Sequence, residues 1–197
     1  MRDTVVIFAR VPRLGTVKRR LARDVGERAA LGFYTGTLTC LLRACAKDRR
    51  FRTVLALTPK RATFSPPPGV TRIDQGHGNL GERMHSSFER LKRRRVVLIG
   101  CDIPDATTDD IASAFRVLGS ADAVFGPSTD GGYWLVGLGP RRPSRPFGAV
   151  RWSSPHALTD TLANFRARRI IQLRMLTDVD DASSLPSLNS RMRSTER

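Results

Sequence analysis

The sequence predicts an α/β fold built on a mostly parallel central sheet, and three observations carry that expectation. Val96-Val97-Leu98-Ile99 is an apolar run that follows Arg93-Arg94-Arg95 and ends at Gly100-Cys101-Asp102. Four apolar residues in succession, without polar alternation, fit a strand buried on both faces. Runs of this kind alternate along the chain with stretches whose apolar residues recur at helical spacing. The 197 residues, 40% of them hydrophobic, suffice for one such domain with a real core.

Taken in order, Thr4 to Ala9 is the first strand, and a loop rich in Arg and Lys follows it through Leu21. Leu31, Tyr34, Leu38, Leu41 and Cys45 mark one face of a helix packed on the sheet. Thr53 to Leu57 is a second strand, stopped by Thr58-Pro59. Val70 to Asp74 is a weak third strand after the rigid loop Ser65 to Gly69. Leu80, Met84, Phe88 and Leu91 mark the next helix. Pro104 stops the central strand, and Thr107-Thr108-Asp109-Asp110 reads as the capped start of a helix carrying Ile111, Phe115 and Leu118. Ala123 to Gly126 is a strand, and Asp130-Gly131-Gly132 reads as a turn leading to another. Arg141 to Pro146 is a basic, Pro-rich loop read as a lid. Ser154 reads as an N-cap with Pro155 at the first helical position, ahead of Leu158 and Leu162. Ile170 to Leu173 is the last strand, and Asp178, Asp180 and Asp181 gather before a short helix. The expected domain spans residues 1–186, with a polar tail over 187–197.

Composition narrows the function classes. The net charge is +16, from 34 Lys and Arg against 18 Asp and Glu, which favours anionic ligands. The basic residues are dispersed over solvated faces, and no aromatic-interleaved basic stripe supports nucleic acid as a partner. No apolar run approaches the roughly 20 residues a membrane span needs. Val5 to Ala9 is too short for the apolar part of a signal peptide, so the expected location is cytoplasmic. Cys40, Cys45 and Cys101 lack metal-ligand spacing and read as reduced thiols.

Several loops carry chemistry. Asp102 falls where a buried strand ends, at the carboxyl edge of the sheet, where open α/β sheets bind ligands. An aspartate there equally serves a turn or a cap. The Arg10 to Arg20 segment has the backbone and the cations to cradle a polyphosphate, although it lacks the Gly-Lys-Ser/Thr ending of a P-loop. Gly76, Gly78 and Gly81 allow close backbone approach to a ligand. The Gln75 amide can pair with a base edge. Asp130 lies in a second strand-edge loop, and Tyr133-Trp134 offers an aromatic wall for a base, sugar or acceptor.

Together these stretches resemble a bacterial glycosyltransferase-like family, also called selenodomain-associated transferase type 1. The resemblance rests on Phe8-Ala9-Arg10-Val11-Pro12-Arg13-Leu14-Gly15-Thr16-Val17-Lys18-Arg19-Arg20-Leu21, on Gln75 with Gly78-Asn79-Leu80-Gly81-Glu82-Arg83-Met84, and on Ile99 to Pro104. It extends to Gly126-Pro127-Ser128-Thr129-Asp130-Gly131-Gly132-Tyr133, to Trp152-Ser153 and to Asp178-Val179-Asp180. Arg10 and Arg19 stand where the family pattern has Lys and Thr, and Ser183-Ser184 where it often has an acidic pair. The resemblance implies a three-layer αβα domain with the nucleotide-diphospho-sugar transferase (GT-A-like, Rossmann-like) fold. It implies that Arg10, Lys18 and Arg20 hold phosphates, and that Gln75, Gly78 and Gly81 hold the nucleoside. Asp102, Asp130 and Lys18 become the catalytic candidates, with Asp102 and Asp180 as ligands of Mg²⁺ or Mn²⁺. The implied activity is transfer from a nucleotide-activated donor, an NDP-sugar, to a small-molecule acceptor. The alternatives are nucleotidyl transfer from an NTP with release of pyrophosphate, and a non-catalytic nucleotide-binding module.

Overall fold

The structure is a computed structural model and describes residues 3–61, 63–91 and 94–182. Lys92 and Arg93, Ser183-Ser184, the expected short helix near the end and the tail lie outside the described residues.

Seven strands form one sheet: β1 (Thr4–Arg10), β2 (Arg52–Thr58), β3 (Thr71–Asp74), β4 (Val96–Gly100), β5 (Ala123–Pro127), β6 (Tyr133–Leu138) and β7 (Ile170–Gln172). Their order is β3-β2-β1-β4-β6-β5-β7. β6 runs antiparallel to both β4 and β5, and the remaining pairs are parallel. The helices are α1 (Arg19–Val25), α2 (Glu27–Lys47), α3 (Leu80–Arg90), α4 (Thr108–Val117) and α5 (Ala157–Ala163).

Alternation along the strands divides the core into two layers. Val5, Ile7, Leu55, Val97 and Ile99 face α2 and α4, meeting Tyr34, Leu38, Leu42, Ile111 and Phe115. Val6, Phe8, Val54, Ala56 and Leu98 face the other way, onto Met84 and Phe88 of α3 and the Leu158–Leu162 stretch of α5. This is the expected three-layer αβα sandwich. Central strands buried on both faces are why β1 and β4 read as continuous apolar runs.

Two helices begin where side chains complete a reciprocal cap. Asn79 and Glu82 exchange bonds at the start of α3, and Thr107 and Asp110 do so at α4. The start of α5 differs from expectation. Its N-cap is His156, two residues late, because the Ser154 hydroxyl donates to the Arg151 carbonyl and accepts the His156 N–H as part of the preceding turn. The lid expectation for Arg141 to Pro146 is also corrected. β6 runs against its neighbours, so this segment leaves it at the amino edge of the parallel strands. There Arg142 donates to the carbonyls of Gly139, Phe88 and Arg94, and stacks 5.3 Å over the Phe88 ring. It is a strap on α3.

All the other loops that carry candidate residues open on the carboxyl edge. Phe8 pairs with Gly100, Arg10 with Thr58 and Leu57 with Asp74. The chain therefore leaves β1, β2, β3 and β4 side by side.

Candidate active site at the carboxyl edge

Lys18 is the centre of this edge. It is the N-cap of α1 and has a left-handed backbone, with φ of 46°. A non-glycine residue in that region costs on the order of 1 kcal/mol. Its ammonium donates to Asp102 Oδ2 at 3.2 Å and to Asp180 Oδ1 at 2.8 Å. Only 5% of the Lys18 side chain is exposed, against 41% and 43% for the two aspartates. Burial alone would depress the Lys18 pKa, but Asp102 and Asp180 outweigh it and hold it above its ordinary value. The cation is therefore locked on, while both carboxylates keep faces open to solvent. Arg20, largely exposed, reaches Asp180 Oδ2 at 3.7 Å.

The acidic side is built from three segments. Asp102 follows β4. Asp130 lies in the loop between β5 and β6, where its Oδ1 accepts from the Ser128 hydroxyl and, at 2.8 Å, from the Gly132 N–H. Asp-Gly-Gly is thus a hairpin turn and also fixes a carboxylate. Asp178 and Asp180 follow β7. Backbone bonds bring their segment back: Leu176 N–H to Pro127 O at 3.1 Å, Thr129 N–H to Leu176 O at 3.2 Å and Val179 N–H to Asp102 O at 3.4 Å. Asp178 shows the outcome. Burial first, then the charges of Asp180, Asp130 and Asp102, push its pKa up to about 6. Four carboxylates from three loops share one field.

The cationic side is more layered than the sequence suggests. Arg10 is exposed at the end of β1, and its peptide is clamped by Tyr34 from α2. The Tyr34 hydroxyl accepts the Arg10 N–H and donates to the Arg10 carbonyl, both at 2.9 Å, and receives the Cys101 thiol at 3.1 Å. One phenol thereby ties the end of β1 to the residue before Asp102. Burial, then the adjacent Asp102 charge, pushes the Cys101 thiol up to about 12 and keeps it protonated.

Three expectations need correction. Gln75 is buried, and its amide is already committed: Nε2 donates to Ala9 O and Ala56 O, both at 2.9 Å, while Oε1 accepts from Arg83 Nη1 at 2.7 Å. It serves Arg83 and not a base edge. Gly76 and Gly78 do have φ near +90° and open the loop before α3. Gly81 instead lets α3 pack under its neighbours, since a Cβ there would come within 2.7 Å of Trp152 Cζ2 and 3.0 Å of Phe147 O. Tyr133 and Trp134 form no common wall, because consecutive strand residues point to opposite faces. Trp134 is buried under the α2 and α4 layer, with its indole N–H on Arg174 O at 3.3 Å. Tyr133 packs edge-on against Phe125 and Trp152 in the other layer.

Arg83, Asp178 and Tyr34 were given no role in the site by sequence reasoning. Arg83 was the findable one, as it sits in the Gly-x-Leu-Gly-x-Arg-Met stretch one turn into a capped helix.

The strand order with one antiparallel member, and the ligand edge it exposes, define the class: the chain has the nucleotide-diphospho-sugar transferase fold. Within that class, residues 41–154 match DUF2064, described as uncharacterized proteins conserved in bacteria, and the chain belongs to this family. The crystal structure of a proposed nucleotide-diphospho-sugar transferase from Desulfovibrio desulfuricans G20 is similar, with TM-score 0.90 and 26% identity over 100% of this chain and 91% of that one. CMP:2-keto-3-deoxy-manno-octonic acid synthetase, complexed with CTP, shares the fold at TM-score 0.61 and 10% identity, covering 99% of this chain and 100% of that one. The manganese complex of Rv0371c from Mycobacterium tuberculosis H37Rv does so at TM-score 0.55 and 16% identity, covering 95% and 98%. No curated protein matches the chain. Among the described residues, no helix is long and apolar enough to cross a membrane.

Proposed function

We propose that the protein is a metal-assisted transferase that moves a glycosyl group from an NDP-sugar to a small-molecule acceptor. The observation that carries this reading is Lys18, held between Asp102 and Asp180 at the carboxyl edge, with Arg20 beside them and Arg10 at the end of β1 on the same edge. A diphosphate needs cations along one side and a divalent ion on the other, and the edge offers the cations together with carboxylates that would hold the ion.

The residues fit Mg²⁺ or Mn²⁺. The donors are hard carboxylate oxygens; the Asp178 pKa is raised first by burial and then by the charges of Asp180, Asp130 and Asp102, and a bound cation relieves that second part. Among the described residues no three such groups already converge as a metal cage. Asp102 and Asp180, each about two-fifths exposed, would hold the ion in company with the substrate's own phosphate oxygens. When bound, the ion supplies charge neutralisation on the departing diphosphate. Arg10 and Arg20 bind the phosphates, and Lys18 holds the two metal-ligand carboxylates in place. Asp130, oriented by Ser128 and Gly132, accepts the acceptor's proton as its oxygen forms the new bond and the nucleoside diphosphate leaves.

Thermal shift with nucleotides and nucleotide-sugars, with and without Mg²⁺ or Mn²⁺, tests this on the native protein and on Asp102→Ala. A ligand that stabilises only with metal and only when Asp102 is present supports the reading. Shifts that survive loss of both overturn it in favour of a nucleotide-binding module, and no shift with any nucleotide or nucleotide-sugar overturns it outright. A second reading, nucleotidyl transfer, is favoured by one observation: Arg83 adds a further cation beside Arg10, more than a diphosphate requires. Product analysis separates the two, through NDP from a sugar donor or pyrophosphate from an NTP.

A further inference from the structure

Gln75 and Arg83 form a unit to which the glycosyl-transfer reading above gives no role. Gln75 is 3% exposed and spans β1 and β2 by donating to Ala9 O and Ala56 O. Its remaining acceptor takes Arg83 Nη1. Arg83 Nε points to Asn79 O, the N-cap of its own helix, at 3.4 Å. The guanidinium is therefore fixed by two neutral oxygens, one hydrogen-bonded residue away from Ala9 and hence beside Arg10. Neither arginine has an ion pair with a carboxylate among the described residues.

This arrangement is costly in the free protein. Burial, and then the positive charge of Arg10, pull the Arg83 pKa below its ordinary value. A half-buried arginine facing a second one normally recruits an acid. The chain has acids on this edge, but Asp102 and Asp180 are held by Lys18, and Asp130 and Asp178 lie in the field of those two. Asp74, the last residue of β3, turns its carboxylate to the Gly76 N–H. Glu82, one residue from Arg83, is spent on the cap of α3. The loop that separates Gln75 from α3 contains Gly76 and Gly78 in left-handed conformations, which leave backbone without side chains next to the pair.

We propose that Arg10 and Arg83, with Gln75 as the residue that positions Arg83, form a phosphate subsite next to the Lys18–aspartate cluster, Arg10 being shared with the donor diphosphate. It takes one phosphoryl group without the help of a divalent ion. Two planar guanidiniums, one of them pre-oriented by a buried amide, suit a tetrahedral oxyanion with several acceptor oxygens. The phosphate is either the third phosphate of a nucleoside triphosphate or a phosphate carried by the acceptor. The proposal rests on the reading of this edge as a site for phosphorylated ligands.

The test uses the whole protein in a chelator, titrated calorimetrically with inorganic phosphate, pyrophosphate and tripolyphosphate. The variants are Arg83→Gln, Arg83→Lys and, as a control for net charge, Arg116→Gln on the exposed face of α4. Arg83→Gln is expected to weaken tripolyphosphate binding about tenfold or more, as loss of a charge-assisted contact implies. Arg83→Lys is expected to recover part of that affinity and Arg116→Gln to lose none, with circular dichroism confirming that each variant is folded. Equal affinity in native protein and Arg83→Gln overturns the subsite, as does an equal loss in Arg116→Gln. Nucleotide titrations then separate the sources. A loss confined to triphosphates assigns the group to the donor. A loss for phosphate alone, with nucleoside di- and triphosphates unchanged, assigns it to the acceptor. The two readings fail separately: metal-dependent, Asp102-dependent donor binding that ignores Arg83 removes the subsite only. Tripolyphosphate binding that depends on Arg83, with no nucleotide bound under any condition, removes the donor reading only.

Discussion

Asp178 carries the clearest electrostatic signature of any single residue here. Its proton is held to about pH 6 in the fold, whereas an aspartate in the unfolded chain loses it near pH 3.9. The folded state thus binds more protons across that interval, and stability falls as pH rises through it. Asp178→Asn removes this penalty. In chelator the variant is expected to be more stable than the native protein at about pH 8, by about 1 kcal/mol once solvent screening is allowed for. The advantage should shrink as pH falls below about 6 and vanish at about pH 3, where the carboxyl is protonated in the folded and the unfolded chain alike. Parallel stability curves in urea at the two pH values would show that Asp178 stands outside the field of its neighbours. Only the Asp180 part of this was legible in the sequence. Asp178-Val179-Asp180 can be read as an acidic motif whose members repel, but burial comes first, and Asp130 and Asp102, 48 and 76 positions away, add their charges after that of Asp180. Conversely, Gln75 looks like a base reader, and Trp134 like part of an aromatic wall. Amide chemistry and ring size do not reveal whether a side chain's partners are already inside the protein.

Elements place these residues through a few cross-ties. α2 does so with Tyr34, whose hydroxyl satisfies both polar groups of the Arg10 peptide and meets Cys101 of the loop after β4. Tyr34→Phe keeps the ring and orphans those groups, so urea unfolding is expected to show a loss of about 1–2 kcal/mol. An unchanged midpoint would mean that water replaces the phenol there. A second tie runs from α4. Arg174, ahead of the acidic segment, pairs with Asp110 in the cap of α4 at 2.7 Å and donates to Asp105 O at 2.9 Å. It keeps the chain after β7 close to the loop after β4. Element identity and order were readable from apolar periodicity, because the strands and α2 to α4 each bury a regular face. The seven-residue α1 was missed, since only Leu21 of its residues is buried and it offers no periodic stripe. Tyr34 was read as core, and its hydroxyl end escaped notice because periodicity says nothing about a polar tip.

For the whole molecule, charge dominates. At +16, with an acidic cluster confined to one edge, the remaining surface repels itself. Paired arginines such as Arg95 with Asp3 and Arg151 with Asp160 offset only a few of these charges. Raising NaCl from about 20 mM to about 200 mM shortens the screening length several-fold at most and is expected to raise the thermal midpoint. A falling midpoint would show that these surface pairs outweigh the repulsion. The same excess favours anionic ligands at long range, and Arg10, Arg20 and Arg83 are the cations that the proposed site at the carboxyl edge would bring to bear on them.

Local pattern was enough for the fold class, for the succession of the strands with α2 to α5, and for the loops that would meet at one edge. Hydrophobic periodicity is a local property, and in a parallel sheet the loops after the strands necessarily share an edge. Only the packed fold settles which side chains the carboxyl edge presents. It turned Lys18 inward between Asp102 and Asp180, committed Gln75 to Arg83, buried Trp134, and moved the 141–146 segment to the far edge through the reversed direction of β6. Those outcomes depend on strand direction, face and register, and on hydrogen-bond partners far apart in the chain, which no local pattern encodes.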